Sequence, residues 1–315
     1  MIKIVGAGIS GLVLARRLAE KGKEVIVYDK SKYIGGLLYD YKKNGFYISD
    51  SGVHIFHTND KKIMKYMLQF GEFIAYNHLV SADVYNTDFS INFPPSKNNR
   101  LDKNQFNNLY SFYSLKQWGE MPSQNVLDRC KARDNNSLYF FKDKYIGLPL
   151  YGWCDFCKRL VDHPNIKIIL KHEFTLKDIN EGDKIYYTGR LDRLFNFEFG
   201  EMKYRTIKVK LSKNGDDFAN VMNKSIPDCK YTRVINWRRC SPLISLDKDL
   251  YGYEYPFSSK SKEIAPHYIV GGQDDIYNKY KELAKSYNII PFGRIGGNKY
   301  INIDEAVKCA LTLPL

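Results

Sequence analysis

IKIVGAGISGLVLARRLAEKGKEVIVYDK, residues 2–30, is the stretch whose reading decides the fold. Residues 2–5 are a short apolar run that reads as a buried strand. Gly6-Ala-Gly8-Ile-Ser10-Gly11 follows at once, and Leu12, Leu14, Ala15, Leu18 and Ala19 then recur at helical spacing over residues 12–22. Residues 24–29 form a second strand that ends in an acid, Asp29, eighteen positions after Gly11. Strand, glycine turn, helix, strand and terminal acid make the unit that binds a dinucleotide. Gly6 permits the tight turn, Gly8 lets the backbone approach a pyrophosphate, and Gly11 lets the helix lie close to the strand. The helix N-terminus then offers unpaired N–H groups to the phosphates, and Asp29 accepts from the adenosine ribose. The unit alone does not choose between FAD and NAD.

Composition narrows the classes. A chain of 315 residues, 44% hydrophobic and 26% charged, is ordinary for a globular protein with one large domain or two interleaved ones. The 25 tyrosines and 18 phenylalanines suit an aromatic core and also a pocket that stacks flat ligands. The formal net charge is +13, but the lysines are scattered and Lys42-Lys43 and Lys61-Lys62 are only pairs. That pattern predicts a solvated basic surface before a nucleic-acid stripe, with an anionic small ligand as the next reading. Six cysteines are too few for a disulfide scaffold. Cys154 and Cys157 are formally CxxC, but they fall at i and i+3 in an amphipathic helix over residues 151–161, with no second pair at zinc spacing. No metal site is expected. The opening residues lack the charged and apolar regions of a signal peptide, and no run has the length of a membrane span. The expectation is a soluble, cytoplasmic protein that binds neither membrane nor nucleic acid.

Beyond Lys30 a second glycine pair, Gly35-Gly36, favours FAD, because NAD-only folds have no need of another backbone approach to the cofactor. Residues 39–48 read as strand, Asn44-Gly45 turn and strand, leading into Gly52-Val53-His54-Ile55-Phe56-His57-Thr58. These elements together resemble the UDP-galactopyranose mutase family, whose last element is GPHIFHT with proline where Val53 stands. The resemblance continues along the chain. Phe93-Pro94 is similar to the family's Phe-Pro, and Tyr113-Ser-Leu-Lys116-Gln-Trp118-Gly119 to its YTxKQWG. Arg129-Cys-Lys-Ala-Arg133 resembles R-[IL]-P-V-R, followed by Tyr139-Phe140 for the family's YF. Residues 145–153 resemble YxGxPxxGY, residues 187–195 YTGPIDxFF, and Tyr204-Arg205-Thr206 the family's Tyr-Arg-Ser. Residues 231–236 are similar to [YF]-T-R-[IV]-x-E, residues 253–256 to REYP, and Phe292 to Asp304 to GRLxxxxYxDMD.

The resemblance implies an α/β fold with a discontinuous, Rossmann-like FAD-binding domain (residues 1–80, 183–205 and 285–315). It further implies a reduced helical domain with a mobile loop (95–140) and an antiparallel β-sheet domain that holds substrate (81–94, 141–182 and 206–284). Residues 95–108 are short and polar where the bacterial enzymes carry several dozen more residues, which leaves the oligomeric state open. The implied activity is a non-redox ring contraction, UDP-galactopyranose to UDP-galactofuranose, through a flavin N5–sugar adduct on reduced FAD, for cell-surface glycan synthesis. Arg129 and Arg233 are the implied diphosphate arginines and His57 the residue near the flavin ring; these are the candidate catalytic residues, with Arg133 competing for the place of Arg129. Tyr113, Trp118, Tyr139, Tyr268, Tyr300 and Asn302 are the implied substrate contacts, Asn302 standing where the family has Asp. Gly6, Gly8, Ser10, Gly11, Asp29, Lys30, Gly35, Gly36, His54, Ile55, Arg294 and Ile303 are the implied cofactor contacts. Two other readings stay open: the same contraction on UDP-arabinopyranose or UDP-N-acetylgalactosamine, and a flavin amine oxidase-like oxidoreductase. A relative that only binds flavin or a UDP-sugar is a third.

Overall fold

Two large sheets organise the computed structural model, which describes residues 1–122, 132–134, 137–215, 219–241, 249–258 and 266–314. The first is parallel, in the order Ile166–Ile169, Val25–Tyr28, Ile2–Val5, Lys184–Tyr187 and Ile289–Pro291. Its strands are branched and aromatic runs because helices cover both faces. Ile4, Val25, Val27 and Tyr186 point to one side, into a core shared with Leu12, Val13, Trp153, Phe156 and Val307 of the helices Ile9–Ala19, Gly152–Leu160 and Ile303–Thr312. Val5, Ile185, Tyr187 and Ile289 point to the other, against Leu191 and the helix Asp274–Ser286. That helix carries Ile276, Tyr277, Tyr280, Leu283 and Ala284 on one face, an apolar stripe of helical period.

Lys3 is the exception in its strand, 3% exposed, and it is paired. Its ammonium lies 2.5 Å from the Asp183 carboxylate and donates to the Asp178 carbonyl at 2.6 Å. Burial alone would raise the Asp183 pKa, but Lys3, the Asn180 N–H and the Met1 amine outweigh it and hold the carboxyl below its ordinary value. Stability from this pair is therefore present above the ordinary aspartate range and is lost as pH falls through the depressed folded value. Lys3→Met, which strands the carboxylate, is expected to cost about 3–5 kcal/mol in denaturant unfolding at pH 7, and less at pH 3. An equal loss at both pH values would contradict this.

The second sheet has seven strands, in the order Tyr268–Ile269, Tyr204–Ser212, Tyr251–Ser258, Arg233–Asn236, Val221–Asn223, Val80–Asp83 and Ser90–Asn92. It is antiparallel except where Val221–Asn223 runs parallel to Val80–Asp83. Ile207 and Val209 are buried while Lys208 and Lys210 are exposed, the alternation of a sheet with one wet face. A hairpin, Tyr41–Lys43 with Phe46–Ile48, turns on Asn44 and Gly45, both at positive φ as its two-residue turn requires. A small sheet of Phe56–Thr58, Tyr145–Pro149 and Phe73–Ala75 lies at the junction.

The structure corrects two expectations. Ile166–Ile169, expected in the substrate sheet, pairs in parallel with Val25–Tyr28, and Gly152–Leu160 packs beneath it. A run of four mostly apolar residues carries no mark of which sheet will take it. Asp274–Ser286 likewise packs on the parallel sheet rather than within the antiparallel domain. Within residues 95–140, the expected reduced helical domain, Asp102 and Gln105 form a capping box that starts the sixteen-residue helix Lys103–Trp118, and left-handed Gly119 (φ 81°) ends it.

Candidate functional site

The parallel strands end at Val5, Tyr28, Ile169, Tyr187 and Pro291, and a cleft of about 880 Å³ opens beyond those carboxyl ends, where such sheets bind ligands. Gly6, at φ 107°, brings the chain so close to Thr188 that a Cβ there would overlap the threonine hydroxyl. Gly11 lies directly against the Gly6 carbonyl, again with no room for a Cβ. Gly8 is the opposite case: a Cβ there meets nothing within 4 Å, because the position faces the open cleft. Gly8 is also the N-cap of Ile9–Ala19, and no side chain caps it, so the first N–H groups of that helix remain for a ligand. Gly35 donates its N–H to the Ala7 carbonyl at 2.7 Å, and a Cβ on Gly36 would stand 3.0 Å from the Gly8 Cα. Two glycine stretches therefore lie side by side under the cleft.

Asp29 accepts from the Ala7 N–H at 2.7 Å and the Ser31 N–H at 2.8 Å, tying the glycine turn to the strand end, and still lines the cleft. Lys30 lines it too, its pKa lowered chiefly by burial. Ser10, His54, Arg294, Asn302 and Ile303 complete the expected set that reaches the wall. Gly11 and Ile55 do not: the glycine is under the helix and the isoleucine is buried. His54 Nε2 is shielded from water with no hydrogen-bond partner among the described residues. Burial, then the charges of His267, Arg294 and Arg233, push its pKa down to about 3, so the ring is neutral.

A second wall abuts the cleft at His54 and Arg294. Gly52 lies against Glu254, whose carboxylate is 1% exposed and 3.5 Å from Arg233 Nη1 directly across the strand pair. The Arg233 guanidinium stands 5.5 Å from the Tyr113 ring centre. Tyr113 and Trp118 share the Lys103–Trp118 helix; Trp118 meets Tyr300 edge-on at 6.0 Å, and Tyr300 lies 4.8 Å from the Arg294 guanidinium. Arg294 itself is fixed by the Ile301 and His267 carbonyls. Four of the expected substrate-side residues, Tyr113, Trp118, Arg233 and Tyr300, are thus linked through contacts to the two cleft residues.

The others fall elsewhere. His57 is not brought to the cleft wall: Nδ1 is 3.0 Å from Asp143, which also accepts from Asn59, and the ring stacks on Phe141 at 4.1 Å. Asn302 lines the cofactor cleft rather than the second wall, as the N-cap of Ile303–Thr312 in a capping box with Glu305. Tyr139 gives its carbonyl to Arg133 at 2.6 Å and leaves its ring 42% exposed. Arg133 spends its donors on the carbonyls of Ser137, Tyr139 and Phe140, which makes it an organiser of that loop. Arg129 lies outside the described residues, as does the side chain of Tyr268, whose backbone pairs opposite Arg205. Unforeseen in the cleft wall is the run 171–175 after the edge strand, where His172 and Phe174 pack on Tyr28. Assigning Ile166–Ile169 to the parallel sheet would have found it, since every strand of such a sheet points its carboxyl end at the ligand.

Glycine cradle, open helix terminus, ribose acid and a second glycine pair define a dinucleotide-dependent enzyme of the FAD-binding type, with a separate aromatic and basic wall for another ligand. The residues fit FAD: among the cradle glycines a Cβ has open space only at Gly8, and Asp29, Lys30, His54 and Arg294 line the same cleft. Residues 108–300 match the family described as UDP-galactopyranose mutase, and residues 4–70 the NAD(P)-binding Rossmann-like domain. The chain belongs to the UDP-galactopyranose mutase family, and its cofactor is FAD. It is 29% identical to a probable UDP-galactopyranose mutase of Klebsiella pneumoniae, over 98% of this chain and 92% of that protein. It is also 29% identical to a dTDP-fucopyranose mutase of Escherichia coli, over 98% and 97%. Those alignments run to 356 and 367 positions, more than the 315 residues here, so both relatives carry residues this chain lacks. A crystal structure of reduced UDP-galactopyranose mutase superposes with a TM-score of 0.74 at 14% identity, covering 98% of this chain and 92% of that one. Among the described residues, no helix is long and apolar enough to cross a membrane, and no group of acids, histidines and cysteines is placed to hold a metal.

Proposed function

We propose that the protein interconverts UDP-galactopyranose and UDP-galactofuranose with no net oxidation or reduction. The observation that carries this reading is the second wall: Arg233 and Tyr113, with Trp118 and Tyr300, stand beside a FAD cradle that a simple oxidase would not need to extend. Reduced FAD supplies a nucleophilic nitrogen, N5, for the anomeric carbon. The chain supplies position and charge. Arg233 offers forked donors to a diphosphate, and the buried Glu254 opposite holds that fork in place. Tyr113 and Trp118 offer π-faces for the base. His54, neutral, lines the cleft without adding a charge beside the cofactor. Arg129 and Tyr268 are proposed as further diphosphate contacts on the resemblance alone.

The sugar and base are the variable part, because a relative named for dTDP-fucopyranose is as similar as one named for UDP-galactopyranose. Dithionite-reduced protein is expected to convert UDP-galactopyranose, and the oxidised protein to leave it unchanged, as read by chromatography of the products. The panel should include UDP-arabinopyranose, UDP-N-acetylgalactosamine and dTDP-fucopyranose. Flavin-loaded, reduced protein that is inert on all four would defeat the mutase reading, and oxygen-dependent turnover of an amine would replace it.

A further inference from the structure

Two cations inside the matched motifs turn away from the cleft and bond backbone instead. Lys116 extends its ammonium from the Lys103–Trp118 helix to the carbonyls of Lys224, Ile226 (3.0 Å) and Tyr231 (3.1 Å) in the antiparallel domain. Arg205, on the strand Tyr204–Ser212, reaches back to the same helix. Its Nε donates to the Gln117 carbonyl at 3.1 Å, Nη2 to the Lys116 carbonyl at 2.7 Å, and Nη1 to Ser258 Oγ at 3.0 Å. A Cβ on Gly119 would stand 3.4 Å from that guanidinium, so the cation sits against the helix's left-handed C-cap. Carbonyls of a last helical turn have no intrahelical donors, and the negative end of the helix dipole favours a cation there. Buried Ser225 adds an Oγ–H bond to the Leu109 carbonyl at 3.1 Å.

We propose that Lys116 and Arg205 are positioning residues for the nucleotide: their reciprocal bonds fix the helix so that Tyr113 meets Arg233 and Trp118 meets Tyr300. The inference rests on reading that wall as the nucleotide site. Tyr113 and Trp118 make their contacts on two different elements, the seven-stranded sheet and the segment before the last helix. Both contacts hold together only at one position of the helix end, and that end is where the two cations act. Neither is free to serve as a phosphate ligand, although each lies in a basic motif that invites that reading. Hydrogen bonds from charged donors to backbone are among the stronger ones, and a displacement of about 1 Å in a binding group is enough to weaken a site severely.

Calorimetric titration of the FAD-loaded, full-length protein with UDP tests this without requiring turnover. Arg205→Met and Lys116→Met are each expected to weaken UDP about tenfold with flavin content kept. Arg205→Lys, which keeps the charge but loses the fork, should fall between wild type and Arg205→Met. In a Trp118→Ala background the Arg205→Met effect should shrink, because one of the two groups through which it acts is gone. A purely structural role would leave the effect undiminished there and overturn the proposal, as would unchanged UDP affinity in the single variants. Where Arg205→Met does not retain FAD, Arg205→Lys and Lys116→Met carry the comparison. If the wild-type protein itself binds no UDP, the nucleotide reading falls and the positioning role falls with it; if it binds and the variants bind equally, only the positioning role falls.

Discussion

Arg233→Ala is expected to lower kcat/KM by about 10²–10³-fold, some 3–4 kcal/mol of transition-state stabilisation, with FAD still bound. Its contacts include the Glu254 carboxylate at 3.5 Å and the Tyr113 ring at 5.5 Å. Its own side chain is 34% exposed, while that of Glu254 is 2% exposed. The buried acid therefore fixes the fork rather than binding ligand. Burial raises the Glu254 pKa, and the Arg233 charge and hydrogen bond oppose that rise. A carboxyl whose folded pKa lies above its unfolded value costs stability at neutral pH; the cost recedes as pH falls through the folded value and is gone below the unfolded one. Removing Arg233 lifts the folded pKa further. The variant should therefore melt well below wild type at pH 8 and approach it at pH 5. A melting gap independent of pH would dissolve the coupling to Glu254, and undiminished turnover would remove Arg233 from the substrate wall.

What was legible in the sequence was whatever contiguous residues write for themselves. The turn at Gly6, Gly8 and Gly11, the strand ending in Asp29, the Asn44-Gly45 hairpin and the second glycine pair are each set by backbone conformations that only certain residues adopt nearby. Sheet membership is different. Ile166–Ile169 reads as a strand from its composition, but its partner, Val25–Tyr28, lies about 140 residues earlier, and the cleft wall at 171–175 stayed unseen with it. Side-chain partners were hidden for the same reason. His57 belongs to a motif that suggests the reacting centre, yet Asp143, 86 residues away, holds its ring. A sequence shows that Lys116, Arg133 and Arg205 are cations; it does not show that all three donate to backbone carbonyls, Arg205 to the Ser258 hydroxyl as well.

Charge is present on both walls. Arg294 lines the cleft and also stands over Tyr300, Arg233 stands over Tyr113, and His54, which feels both charges, is kept neutral chiefly by burial. The cleft therefore offers uncapped N–H groups and glycine backbone beside Lys30 and Arg294, and the proposed diphosphate contact of the second wall is Arg233.

The cradle allows the cleanest separation of cofactor binding from folding. Gly8→Val is expected to leave the apoprotein folded and to weaken FAD by at least about 100-fold. Gly8 has φ −80° and ψ 174°, extended backbone that any residue adopts, and its Cβ would meet no atom within 4 Å. The added Cβ meets open cleft rather than protein, and the side chain stands beside the uncapped N–H groups where a pyrophosphate is to lie. Gly11→Ala is the control of opposite sign, because its Cβ would overlap the Gly6 carbonyl and force the helix off the strand. Ligand binding stabilises a folded protein by RT ln(1 + [L]/Kd), about 2.7 kcal/mol at a hundredfold excess over Kd. Added FAD should therefore raise the melting temperature of wild-type apoprotein and leave that of Gly8→Val in place, while Gly11→Ala melts lower with or without FAD. If Gly8→Val bound FAD as tightly as wild type, the pyrophosphate would have to lie elsewhere in the cleft, and the open space at Gly8 would lose its meaning.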